Sequence, residues 1–160
     1  MGERPGTTRL RTLVGNHARL APIARLLGSS VLDVEDGRVT VEFEVREEFK
    51  HPGGAVQGGI VTAYADLCMA LAAQTHFEPG QHMSTSSLTL NFLAPITAGP
   101  VIGEGTVVKK GRSVVFMEAV IRDREGNEYA RGTSVGSIRA AASRAESPPK
   151  ESPRRGWSQK

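Results

Sequence analysis

Apolar and polar positions divide this chain into stretches with two different periods. Over residues 8–27, Leu10, Leu13, Val14, Leu20, Ile23, Leu26 and Leu27 recur at helical spacing. Gly15 and Pro22 interrupt them, so the pattern predicts two short helices closed by Gly28. Strand patterning then takes over. Val31 and Val34 lead into an Asp36-Gly37 turn, after which Val39, Val41, Phe43 and Val45 alternate with Arg38, Thr40, Glu42 and Glu44. That is the pattern of a β-hairpin with one wet face. A glycine-rich run from His51 to Gly59 opens onto an apolar segment, residues 60–75, whose length and freedom from Gly and Pro favour a helix over a strand. Strand candidates follow at 85–93, 101–109 and 114–122. The turn Asp123-Arg124-Glu125-Gly126-Asn127 hands the chain to a last one at 128–138.

A single helix this apolar cannot lie on a surface and must be wrapped by a curved sheet. Ala63, Ala65, Ala70, Ala72 and Ala73 are small enough to let strands come close to it. The fold class expected is therefore α+β, one domain over residues 8–142. Residues 1–7 have no periodic pattern, and the Ser, Pro and Arg content of 143–160 has no means of building a core, so both ends are expected to be unstructured.

Composition narrows the function classes. The chain is 39% apolar, yet no apolar run approaches the roughly 20 residues of a membrane span. The start, Met1-Gly2-Glu3-Arg4-Pro5, is too polar and too soon broken by proline for a secretory signal, so a cytoplasmic location is expected. One cysteine, Cys68, leaves no intramolecular disulfide and no multi-cysteine metal site. The formal charge of +3 resides in the tail, where Arg144, Lys150, Arg154, Arg155 and Lys160 face only Glu146 and Glu151. The balanced remainder argues against a nucleic-acid partner held on a basic face. His17, His76 and His82 have no metal-ligand spacing, and no phosphate loop or dinucleotide fingerprint is present, so neither metal nor cofactor is expected.

Between Gly58 and Thr75 the only charged residue is Asp66. A buried carboxylate costs several kcal/mol unless it is hydrogen-bonded, paired or in reach of water. Aspartate is also a poor residue for mid-helix. The helical neighbours Thr62, Ala63, Met69 and Ala70 offer no basic partner. Either Asp66 faces water on an open stripe, or it does chemistry. At the start of the same helix, Gly58 and Gly59 carry first-turn N–H groups that lack intrahelical acceptors and sit at the positive end of the dipole. An acyl carbonyl pointed at either N–H would be polarised for attack, as in an oxyanion hole.

The run His51-Pro-Gly-Gly-Ala-Val-Gln-Gly-Gly followed by Ile-Val-Thr-Ala-Tyr-Ala-Asp66 resembles the hotdog-fold acyl-CoA thioesterases of the phenylacetic-acid-degradation (PaaI-like) type. Leu90-Asn91-Phe92-Leu93-Ala94-Pro95 and the segment 123–132 are similar to that family's strand end and last hairpin, and the likeness covers residues 20–140. The resemblance implies a hotdog fold and a thioesterase in which Asp66 is the general base or nucleophile and Gly58 N–H polarises the thioester carbonyl. His51 falls where the family has an Asn or Gln that holds the carbonyl or the attacking water. Thr85 falls near a Ser or Thr that steadies that water. Gln57 stands where the family has a His that organises the loop. The resemblance further implies dimers or tetramers, with Asp66 and Gly58 of one site supplied by opposite subunits. No cofactor is needed, and water is the co-substrate.

Lys109, Lys110 and Arg112 put three charges in one turn, which suits the phosphates of CoA as well as it suits an ordinary polar hairpin. Tyr64, Leu67, Met69, Leu90 and Phe92 are candidates for an acyl tunnel or for plain core. Two other readings stay open. Hydratases and dehydratases of hydroxyacyl thioesters share this fold and use a His and a carboxylate, which His51 and Asp66 would match. A non-catalytic acyl-CoA-binding module would bind the thioester without turnover.

Overall fold

The computed structural model describes residues 2–140. The tail expected to be unstructured, 143–160, lies outside them. Two short helices, α1 (Pro5–Arg11) and α2 (Pro22–Leu26), lead into the hairpin β1 (Ser29–Glu35) and β2 (Arg38–Phe43). The long helix α3 (Gly58–Gln74) follows, then β3 (Gln81–Phe92), β4 (Val101–Lys110), β5 (Val114–Arg122) and β6 (Glu128–Ala140). The strands form one six-stranded antiparallel sheet in the order β1-β2-β4-β5-β6-β3. The expected α+β arrangement, one apolar helix wrapped by a curved sheet, is the one observed.

α3 starts two residues earlier than its apolar run, because Gln57, extended at φ −57° and ψ 134°, serves as its N-cap and brings both glycines into the first turn. It lies on β2, β4 and β5, burying Tyr64, Ala65, Cys68, Met69, Ala72 and Ala73. The strands answer with alternate residues: Val115, Met117, Ala119 and Ile121 of β5 are buried, while Glu118 points out. The closest approach is to β4. A Cβ on Gly105 would stand 2.2 Å from the carbonyl oxygen of Cys68, and one on Gly103 2.5 Å from Cys68 Sγ.

The amino-terminal expectation needs correction. Helix α1 begins at Pro5, and Gly6 and Thr7 are buried rather than free. Proline at the first turn is preorganised for helix, and glycine next to it admits the carbonyls at the end of α3: a Cβ on Gly6 would lie 2.2 Å from Gln74 O. Thr7 Oγ1 donates to Thr75 O at 3.4 Å. The hairpin turn joins the same place, with Gly37 (φ +79°) donating its N–H to Thr75 Oγ1 at 2.8 Å.

β3 begins at Gln81, four residues before the expected start, and contains a β-bulge. Thr85 pairs with Gly136 and Ser87 with Val135, leaving Ser86 as the extra residue.

Candidate active site

Asp66 is half-buried on α3, and its row at intervals of four runs Gly58, Thr62, Asp66, Ala70, Gln74 along the partly open stripe of the helix. It faces β3, where Thr85 Oγ1 donates to Asp66 Oδ1 at 2.8 Å. The bulge makes this possible. With strict alternation, Thr85 would point away from the face that Leu88, Leu90 and Phe92 present to the helix. One extra residue between them reverses the phase, so Thr85 joins their side. The carboxylate therefore has one oxygen fixed by a neutral donor, while among the described residues no basic side chain pairs with it.

A second group gathers at the start of the helix. His51, Val56, Gly58, Phe92, Pro95 and Ile96 border a cleft of about 340 Å³. The loop holding His51 is closed by its own backbone, His51 N–H to Ala55 O at 3.0 Å and Gly54 N–H to His51 O at 2.9 Å. Gly53 N–H donates to His51 Nδ1 at 2.9 Å. A neutral ring so held carries its proton on Nε2, the nitrogen left for a ligand. A Cβ at Gly53 would stand 2.7 Å from the ring, so a larger residue there would push His51 out of this position.

Among the described residues, neither Gly58 nor Gly59 N–H donates to a protein acceptor, while Gln57 O already accepts from Ile60 and Val61. Two donors thus remain without a protein acceptor at the positive end of a 17-residue helix, and Gly58 borders the cleft. Gln57 is exposed and makes no side-chain cap; its backbone N–H is tied to Phe49 O at 2.8 Å.

The two groups are not brought together within one chain. Eight residues of helix separate Asp66 from Gly58, a rise of roughly 12 Å. Lys110 and Arg112 are apart from both, at the β4–β5 turn: Lys110 pairs with Val115, Val115 with Gly136, and Gly136 with Thr85, which puts Lys110 three strands across the sheet. Of the tunnel candidates, Tyr64 and Met69 are core, with Tyr64 stacked on Phe43 at 4.2 Å. Phe92 is 57% exposed and walls the cleft, its ring 3.3 Å from the place of a Gly58 Cβ. The cleft wall Ala94-Pro95-Ile96 was legible only as a strand end, because nothing in its residue types announces a site.

The thioesterase superfamily model matches residues 53–130, the stretch that carries the cleft loop, α3 and β3 to β5. A protein of Saccharolobus solfataricus named "Putative esterase SSO2140" is 36% identical over 115 residues, covering 72% of this chain and 80% of its own. The solved "putative thioesterase, phenylacetic acid degradation-related protein" of Ralstonia eutropha JMP134 superposes with a TM-score of 0.72 at 28% identity, over 79% of this chain and 96% of that one. The E. coli PaaI protein from the phenylacetic acid degradation operon shares the fold, with a TM-score of 0.75 at 18% identity over 84% and 96%. With its helix wrapped by a hotdog sheet and this extent of shared sequence, the chain belongs to the thioesterase superfamily.

Proposed function

We propose that this protein hydrolyses acyl-CoA thioesters, with Asp66 as the catalytic carboxylate. The observation that carries the reading is the 2.8 Å hydrogen bond from Thr85 to Asp66 in an otherwise apolar helix. A carboxylate oriented through one oxygen keeps the other for water or for the thioester carbon. As general base, Asp66 takes the proton of a water whose oxygen bonds to the carbonyl carbon. The carbonyl electron pair moves onto oxygen, where Gly58 N–H stabilises it. Collapse breaks the carbon–sulfur bond, and the departing CoA sulfur takes the proton, leaving free acid and thiol. Attack by Asp66 itself, through an anhydride that water then opens, uses the same groups. His51 Nε2–H and Gly59 N–H border the carbonyl side, Gln57 holds the loop, and Lys110 and Arg112 serve the CoA phosphates.

A base and an oxyanion donor roughly 12 Å apart cannot serve one carbonyl. A two-fold axis resolves this, since each copy then supplies Asp66 to one site and Gly58 to the other. β3 supports such pairing: twelve residues long, it is bonded among the described residues on one side only, to β6. Phe92 and Leu93 lie exposed at its end. The working form is thus a homodimer, or a tetramer of two dimers, in the cytoplasm.

Thiol release from a panel of short, medium, long and aryl acyl-CoAs tests the chemistry. Wild type is expected to turn over at least one class, with kcat of Asp66→Ala lower by about a hundredfold or more. Gly58→Pro tests the donor, because proline is tolerated in the first helical turn and lacks the N–H. It should cost about 100- to 1,000-fold in kcat. Mixing the two dead variants under subunit exchange should restore roughly a quarter of wild-type activity, from mixed dimers with one intact site. No CoA release from any substrate by a folded wild-type protein would sink the thioesterase reading in favour of a dehydratase or a binding module. An even-numbered oligomer that shows no recovery on mixing would sink the shared site alone.

A further inference from the structure

The helical layer at the amino terminus contains a second cavity, unrelated to the Asp66 and Gly58 groups. It lies between α1, α2 and the outer side of α3, has a volume of about 400 Å³, and is floored by Leu10, Leu20 and Ala24, with Leu13, Leu67 and Leu71 on its walls. That size suits a small organic ligand. Its rim is basic. Residues 2–28 contain Arg4, Arg9, Arg11, Arg19 and Arg25 against one carboxylate, Glu3. Arg11 is paired with Glu3 at 2.6 Å and Arg4 with Asp36 at 3.0 Å, while Arg25 donates to Leu20 O at 2.6 Å. Arg9 and Arg19, both bordering the cavity and both exposed, meet no carboxylate within 4 Å among the described residues. Ile23, 53% exposed, stands at the same rim.

An apolar slot with two uncommitted guanidinium groups at its mouth matches one ligand chemistry, a hydrocarbon tail ending in an anion. We infer that this cavity binds a fatty carboxylate, its tail against Leu10, Leu20 and Leu71 and its head group on Arg9 or Arg19. Charge argues against the chain's own tail as occupant, because residues 143–160 carry a net +3 of the same sign. The concave shape argues against a flat lipid surface. The inference stands independently of the thioesterase reading, since Leu67 and Leu71 line this cavity whereas Asp66 is turned toward Thr85.

Calorimetric titration of the full chain with dodecanoate, below its micellar concentration, is the test. Saturable binding of one dodecanoate per chain is expected, equal in wild type and Asp66→Ala, and accompanied by a rise in Tm. Arg9→Glu with Arg19→Glu should weaken it at least tenfold, as should Ile23→Glu. All three positions are exposed, and circular dichroism with Tm checks that the variants fold. Dodecanol should bind at least tenfold more weakly than dodecanoate. Several results would overturn the inference. Absence of saturable binding is one, and binding indifferent to the arginine reversals is another. Loss of binding in Asp66→Ala would move the ligand to the candidate active site. Association only with phosphatidylglycerol vesicles would make the face a membrane contact. An oligomer that falls apart on Ile23→Glu, with no dodecanoate binding in wild type, would give the groove to a second copy.

Discussion

At Asp66 the cost of placing a carboxylate in an apolar helix is offset by one hydroxyl, Thr85 Oγ1. Removing that donor should leave the carboxylate in place but free to rotate. Thr85→Val is therefore expected to lower kcat about tenfold with little change in KM, measured on the best acyl-CoA of the panel. Tyr64 presents the reverse case. Its hydroxyl is buried and, among the described residues, has no partner, and burial pushes its pKa up to about 12. Tyr64→Phe removes an unsatisfied group while keeping the stack on Phe43, so denaturant unfolding should show unchanged stability or a gain of up to about 1 kcal/mol. Cys68 is fully buried and its thiol pKa is raised by desolvation. It should stay unreactive toward a coloured thiol reagent until the protein unfolds, which a reaction with and without denaturant will show. The odd residue in the helix, Asp66, could be picked out by type alone. Its partner could not, because a threonine in a strand is ordinary; the family resemblance pointed to Thr85, and the fold puts it 2.8 Å from the carboxylate.

Among the elements, α3 and β4 depend on each other. The alanines of the helix announced a close approach, and Gly103 and Gly105 are its other half, unread in the sequence because glycines inside a strand more often mark a bulge. Gly105→Ala would drive a methyl group into the Cys68 carbonyl and should cost about 1–3 kcal/mol or more, read from the denaturation midpoint. The bulge at Ser86 works the other way, adding a residue so that two halves of β3 present the same face. Periodicity in 88–92 was legible, since Leu88, Leu90 and Phe92 alternate cleanly. The phase of 81–85 was not, because a single apolar residue, Met83, among Gln, His, Ser and Thr carries too little hydrophobic contrast to show which side is inward.

Over the whole molecule, the amino-terminal helix, the first hairpin turn and the end of α3 are tied at one point. Asp36 holds Arg4 at 3.0 Å and His76 Nε2 at 3.1 Å, beside the Gly37–Thr75 hydrogen bond. Burial lowers the His76 pKa below its usual value, partly countered by Asp36 and assisted by Arg4 and Lys110. The folded state thus favours neutral His76. Its contribution to stability is present above the unfolded-state pKa of about 6.5 and is lost as pH falls toward the lower folded value. Thermal unfolding from pH 8 to 5 should show Tm falling on the acid side, with a smaller fall in His76→Gln. What the sequence by itself determined was whatever depends on local order: the type of nearly every element, the wrapped-helix architecture, and the unusual carboxylate. The tertiary structure alone decided which groups meet. It tied residues 5–7 to the end of α3 and turned Thr85 inward onto Asp66. The physical reason is that periodicity reports which face is buried, whereas the partner on that face is chosen by contacts many residues away in the chain, to which a local pattern is blind.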